Sequence, residues 1–141
     1  MSTVTGFSDS DGSPTITIKV RGSIDANEQE FKAIIDTGFT GFLSMPLLRA
    51  VPLGLPLYGT TSLTLADGTT RTHLVATGHV SISDNQSGSG VVVLQTNSSE
   101  LLVGMDFIRV LGPTLVLRCD KHLIAPLSGD DADALTANLG L

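Results

Sequence analysis

The chain has 141 residues, of which 41% are hydrophobic and 16% charged, and it carries a formal net charge of −6. This composition is too apolar for an intrinsically disordered protein, and the length suits one domain. The acidic balance argues against nucleic acid or an anionic membrane as a partner. The single cysteine, Cys119, excludes an intramolecular disulfide and a cysteine zinc site. His73, His79 and His122 lack the spacing of metal ligands, so no metal or other cofactor is expected.

The two ends of the chain differ in character from its middle. The first nine residues contain neither a basic region nor an apolar run, so no signal peptide is expected. The longest apolar runs, such as residues 91–94, are too short to span a membrane. We therefore predict a cytoplasmic protein. We also predict one domain over residues 1–127, followed by an acidic tail over residues 128–141.

Short strands are predicted throughout the first half of the chain. Residues 15–20 alternate between apolar and polar side chains, which predicts a strand that forms a hairpin with residues 4–7. Residues 30–35 become wholly apolar at their end, as in a strand that enters a core. Residues 42–45 form another short apolar segment, which ends at Pro46. The prolines and glycine within residues 47–58 predict irregular chain or a single helical turn.

The second half begins with the best hairpin signal in the chain, an Asp-Gly pair between the β-rich segments 60–65 and 70–76. A flexible turn is predicted over residues 84–90. Apolar side chains at helical spacing predict a helix over residues 104–111. The strand pattern continues at residues 80–83, and further strands are predicted at residues 90–95, 100–103, 114–117 and 122–125. This pattern favours a small all-β barrel or sandwich with one short helix.

The segment with the clearest chemical signal is Asp36-Thr37-Gly38, which directly follows the predicted strand 30–35. Burial at the edge of a core disfavours a charged carboxylate unless hydrogen-bond donors compensate. Thr37 supplies a hydroxyl, and Gly38 permits a close approach of the backbone with its N–H exposed. The tripeptide suits a carboxylate that is held firmly and directed outward, although Asp and Gly are also ordinary turn residues.

Four segments in a fixed order resemble the retropepsin-like aspartic proteases, and most closely their single-domain bacterial branch. The first is residues 12–17, and the second is the Asp-Thr-Gly turn with residues 39–46. The third is residues 63–69, which are similar to the flap hairpin of the family. The fourth is residues 101–108, where Leu-Leu-Val-Gly precedes the predicted helix. The resemblance implies a small closed all-β barrel with a flap hairpin.

The resemblance also implies the site residues. Asp36, Thr37 and Gly38 match the catalytic motif of the family. The hairpin tip, at Ala66, Asp67 and Gly68, is implied to fold over an extended peptide. The residues expected to contact substrate are Phe39, Leu65, Ala66, Asp67, Gly68, Leu102 and Val103. The candidate walls of apolar pockets are Phe39, Phe42, Leu65, Leu102 and Val103. For each of these residues, packing in the core is the alternative.

The number of carboxylates then bears on assembly. Hydrolysis of a peptide bond by carboxylates needs two of them, which share a proton and hold one water. The chain contains Asp-[Ser/Thr]-Gly only once, at Asp36, so the second carboxylate must come from an identical chain across a two-fold axis. We predict a homodimeric aspartic endopeptidase that acts on extended peptide or protein substrates. The alternatives are a domain of the same fold that binds peptides without cutting them and a structural oligomerisation domain.

Overall fold

The computed structural model of the chain describes residues 7–8, 12–22, 27–64, 66–83, 85–112, 114–118 and 123–127. The strands of this described part are β1 (Phe7–Ser8), β2 (Pro14–Arg21), β3 (Glu28–Ile35), β4 (Leu43–Pro46), β5 (Leu57–Thr64), β6 (Thr70–Ser83), β7 (Gln86–Gln95), β8 (Leu101–Val103), β9 (Thr114–Arg118) and β10 (Leu123–Leu127). The helical segments are α1 (Leu47–Ala50), a 3₁₀ turn (Val51–Leu53) and α2 (Met105–Leu111).

Six of the strands close into a barrel. Their order is β2-β3-β8-β4-β7-β6, and β6 pairs back onto β2. The pairs β3–β8 and β4–β7 are parallel, and the other pairs of the ring are antiparallel. Closure satisfies both edges of each strand in the ring, whereas β1 and β5 pair on its outside. The predicted small closed all-β barrel is confirmed, with α2 as the predicted short helix and α1 as the single helical turn.

Period-two alternation of side chains builds the core. On β2, Ile16, Ile18 and Val20 are buried, whereas Lys19 between them is exposed. The same alternation buries one face of β3, whose last residue, Ile35, ends at the rim of the barrel. The residue that follows, Asp36, is therefore placed where the core meets solvent.

The helix α2 covers one end of this core. Phe107 is fully buried and its ring meets that of Phe42 edge-on, with centroids 5.3 Å apart. Ile108 and Leu111 are buried beside it, whereas Val110 is exposed. The helix thus anchors the segment around Phe42, which leads from the Asp-Thr-Gly turn into β4.

The prediction of a flexible turn over residues 84–90 is wrong for residues 86–90. Strand β7 begins at Gln86, and its glycine- and serine-rich start pairs with β6 over five consecutive residues. Backbone hydrogen bonds to a long neighbouring strand stabilise this segment despite its poor strand propensity. Gly90 has a packing reason, because a Cβ there would lie 2.5 Å from the ring of Phe42. Residues 80–83, where the strand pattern continues in the sequence, are the end of β6.

Some predictions fall on residues that are not described. Of the first predicted arm, residues 4–7, only Phe7 is described, and Phe7 and Ser8 pair antiparallel with β2. The acidic tail over residues 128–141, Cys119, His122 and Leu65 lie outside the described residues. Over the part of the chain that is described, no helix combines the length and the hydropathy that a membrane span requires.

Candidate active site

Asp36 is held in place by the sheet and by its own turn. The parallel pairing of β3 with β8 continues past Ile35, since the Asp36 N–H donates a 3.0 Å hydrogen bond to the Val103 carbonyl. The Gly38 N–H donates a 2.9 Å hydrogen bond to Oδ1 of the Asp36 carboxylate. The Phe39 N–H closes the turn on the Asp36 carbonyl at 3.1 Å. The half-buried carboxylate is thus fixed at the mouth of the barrel.

The loop after Asp36 is joined to the start of α2 by three backbone hydrogen bonds. Met105 donates to the Phe39 carbonyl at 2.9 Å, and Asp106 donates to the Gly41 carbonyl at 3.1 Å. The third bond, also 3.1 Å, runs from the N–H of Gly104 to the Phe42 carbonyl. The first N–H groups of a helix have no partner within the helix, and here the loop supplies their acceptors.

Gly104 permits this close junction. A Cβ at position 104 would lie 2.2 Å from the Gly41 carbonyl oxygen and 2.6 Å from that of Phe39. Both atoms belong to the backbone and cannot rotate away. The Leu-Leu-Val-Gly element recognised in the sequence therefore holds the Asp36 loop through both Val103 and Gly104.

A cleft of about 640 Å³ opens in front of Asp36. One wall is the loop after Asp36, the floor comes from β4, β7 and β8, and the other wall is the flap, formed by β5 with the hairpin tip at residues 66–69. The residues that line the cleft are Asp36, Gly38, Phe39, Thr40, Gly41, Ser44, Thr61, Leu63, Thr64, Ala66, Val91, Val93, Gln95 and Leu102. Asp36 is the only ionisable side chain among these described lining residues.

The structure brings together five of the predicted site residues. Asp36, Gly38, Phe39, Ala66 and Leu102 all line this one cleft, although they come from three separated parts of the chain. The juxtaposition follows from two features, the pairing of β3 with β8 and the fold of the flap over the open end of the barrel.

The other predicted site residues lie elsewhere in the protomer. Thr37 is exposed beside the cleft, and Asp67 and Gly68 are exposed at the tip of the flap without lining the cleft. Val103 is buried in the core, because successive strand residues face opposite sides and Leu102 takes the cleft side. Phe42 is likewise buried.

The tip of the flap is an ordered turn. Oδ1 of Asp67 accepts hydrogen bonds from the Thr69 hydroxyl at 2.6 Å and from the Thr69 N–H at 2.9 Å. The hydroxyl first, and then the N–H, hold the pKa of Asp67 below its ordinary value, because both stabilise the ionised form. Gly68 has a φ of 85°, a conformation that glycine adopts without strain.

Sequence reasoning missed most of the floor of the cleft. Val91, Val93 and Gln95 alternate along β7 on the side that faces the cleft, and Ser44 lies on the neighbouring β4. In the sequence, residues 91–94 form a continuous apolar run, so the side chains that face the cleft could not be told from those that face the core. Ser44 was the one available signal, since it is a polar residue within the apolar segment 42–45.

Comparisons with known proteins bear on the family and on the fold of the chain. A family model described as aspartyl protease matches residues 18–107, which include Asp36, the flap and the start of α2. The fold is similar to that of a retropepsin-like aspartic protease from Rickettsia conorii, with a TM-score of 0.60 and 19% sequence identity over 89% of this chain and 88% of that chain. No curated protein sequence matches the chain.

Proposed function

The chain belongs to the aspartyl protease family, and we propose that it is an endopeptidase that works as a homodimer. The observation that carries the proposal is the position of Asp36. Its carboxylate is fixed by the Gly38 N–H and lies on a cleft in which no other described lining residue is ionisable. One protomer therefore offers one carboxylate, and the two-carboxylate chemistry of peptide hydrolysis requires a second chain.

In the proposed mechanism the two Asp36 side chains share one proton and hold one water between them. The ionised carboxylate takes a proton from the water as the water oxygen attacks the scissile carbonyl carbon. The protonated carboxyl donates a hydrogen bond to the carbonyl oxygen at the same time. A tetrahedral diol forms. Its collapse breaks the C–N bond, and a carboxyl proton passes to the leaving nitrogen. Of the three motif residues, Asp36 reacts, and Gly38 orients its carboxylate.

Thr37 is proposed to act between subunits. Its side chain is exposed and does not line the cleft of its own protomer. This position supports the role that the family resemblance implies, a hydrogen bond across the two-fold axis beside the paired aspartates. Such a contact would align the two Asp36 loops, and alignment of reacting groups accounts for a large part of enzymatic rate enhancement.

The substrate is proposed to be an extended peptide or protein segment. The cleft is large enough for a peptide ligand, since ligand pockets commonly span about 300–1,000 Å³. An extended chain between the floor and the flap would place alternate side chains on opposite walls. Closure of the tip, at Ala66, Asp67 and Gly68, would exclude water from the reaction. A cytoplasmic location stays a prediction.

The test is digestion of a mixed peptide library by the purified protein, with Asp36→Asn as the control. We expect cleavage that a statine-type analogue abolishes, because such an analogue mimics the tetrahedral diol. Peptide binding without cleavage would instead support a non-catalytic peptide-binding domain. A protein that neither binds nor cleaves peptides would support the oligomerisation domain.

A further inference from the structure

A buried serine interrupts the apolar floor of the cleft. β4 lies between β8 and β7, and Ser44 is paired with Leu102 on one side and with Val93 on the other. All three residues line the cleft, and Ser44 is only 1% exposed. An apolar residue would fill this position without needing a hydrogen-bond partner. The serine therefore calls for an explanation in terms of what it binds.

The partner of Ser44 is Gln95, which lies two residues beyond Val93 on the same side of β7. Nε2 of Gln95 donates a hydrogen bond to Oγ of Ser44. This bond uses one of the two N–H groups of the amide. The other N–H and the amide oxygen have no partner among the described residues, and the half-buried side chain lines the cleft. Ser44 thus holds a carboxamide that offers one donor and one acceptor to a ligand.

We propose that Gln95, positioned by Ser44, selects a neutral polar side chain of the peptide substrate, with a carboxamide as the best fit. A carboxamide carries both a donor and an acceptor, and it can pair with both free groups of Gln95 at once. The inference rests on the proposed endopeptidase function and names a feature of its substrates. Gln95 is the specificity residue, and Ser44 is a positioning residue.

Charge and shape around Gln95 support a neutral ligand. Among the described lining residues of the cleft, Asp36 is the only charged group. An anionic side chain would therefore lose its hydration without gaining a counterion, and a cationic one would find only the carboxylate that the proposed reaction uses. Arg71 and His73 line an adjoining depression of about 210 Å³, which shares Leu63 and Gln95 with the cleft, and neither of the two lines the cleft itself. The neighbouring positions on the floor, Val91, Val93 and Leu102, suit apolar side chains in the adjacent subsites.

The test uses a peptide that the wild-type protein cleaves. Each position around the scissile bond is replaced in turn by Gln, by Met of similar shape, and by Glu, and kcat/KM is measured. At one position we expect kcat/KM for the Gln peptide to exceed that for the Met peptide by about 10-fold. This is the typical effect when a substrate without the hydrogen-bonding group leaves a buried polar group unpaired. Gln95→Leu should reverse this ratio, whereas Gln29→Leu, the same change at an exposed position near the start of β3, should preserve it.

Two further variants keep the test decisive. Gln95→Glu preserves the shape of the side chain and should shift the preference at that position from Gln to Lys. Ser44→Ala should weaken the Gln preference while Gln95 is still present. Equal rates for Gln and Met at every position, or a ratio that Gln95→Leu leaves unchanged, would overturn the inference. A preference of the wild-type protein for Glu at that position, if Arg71→Gln removes it, would also overturn the inference. If the wild-type protein cleaves no peptide, the proposed function itself fails, which is a separate result.

Discussion

The N–H of Gly38 donates a 2.9 Å hydrogen bond to Oδ1 of Asp36, two residues before it. This contact holds one carboxylate oxygen against the backbone, while Oδ2 has no partner among the described residues. A Cβ at position 38 would lie 3.2 Å from the same oxygen, so a larger residue there would press on the carboxylate. Oδ1 of Asp36 is therefore held by the backbone, whereas Oδ2 is available for water and for a second carboxylate.

Replacement of Asp36 by Asn should abolish peptidase activity without unfolding the protein. The amide oxygen of Asn can still accept the Gly38 N–H, but the side chain can neither take a proton from water nor share one. We expect a loss of at least about 100-fold in kcat/KM. The control is Asp106→Asn, which removes only an exposed ion pair with Arg109 and should change activity little. Equal activity of Asp36→Asn and wild type would contradict the mechanism.

Mixing of subunits tests the shared site. With free exchange, equal amounts of wild-type and Asp36→Asn chains leave about a quarter of the dimers fully wild type. At a fixed wild-type concentration, activity should therefore fall to about half, because a mixed dimer has one carboxylate and one amide. Exchange is followed independently with differently labelled chains. Activity that does not fall after confirmed exchange would mean that one chain works alone.

Gly104→Ala should destabilise the protein and disturb the Asp36 loop. The added Cβ would meet the carbonyl oxygens of Gly41 and Phe39 at 2.2 and 2.6 Å, and relief requires movement of backbone. We expect a loss of about 1–3 kcal/mol in the free energy of unfolding, measured by denaturant titration. Gly59→Ala is the matched control, since its nearest contact would be 4.0 Å, and it should change stability by about 0.5 kcal/mol or less.

Gly68→Val at the flap tip should reduce kcat/KM by more than its loss of stability explains, as judged against Gly12→Val. Gly68 and Gly12 have φ values of 85° and 81°, and a Cβ at either position would meet nothing within 4 Å. Valine should thus cost each site a similar strain of about 1–2 kcal/mol. Because only Gly68 is on the flap, only Gly68→Val should lower kcat/KM. Similar activity losses in both variants would argue against a flap function for this hairpin.

The flap tip should remain ordered in mild acid. The Thr69 hydroxyl and N–H lower the pKa of Asp67, so the turn has its full stabilisation above the ordinary pKa of an aspartate. That stabilisation disappears only as the pH falls through the lowered pKa. NMR titration of Asp67 with the Thr69 amide as reporter measures both events. Thr69→Val should raise the pKa of Asp67, whereas Thr69→Ser should not; an ordinary pKa of Asp67 in the wild-type protein would contradict the expectation.

Local rules of the sequence predicted the framework of this protein. Alternating side chains marked β2, the Asp-Gly pair marked the flap, and the apolar strand before Asp36 placed a carboxylate at the rim of a core. These features depend on neighbours within a few residues along the chain, where periodicity and turn chemistry act directly. The single Asp-Thr-Gly likewise led to the prediction of a homodimer from the sequence alone.

The tertiary structure decided which residues face the cleft. Leu102 and Val103 are both apolar strand residues, and only the pairing of β8 with β3 and β4 directs Leu102 to the cleft and Val103 to the core. Ser44 and Gln95 are 51 residues apart and meet because β4 and β7 are paired in parallel. Such contacts depend on strand register across the barrel, and a shift of one residue would turn each of these side chains to the opposite face.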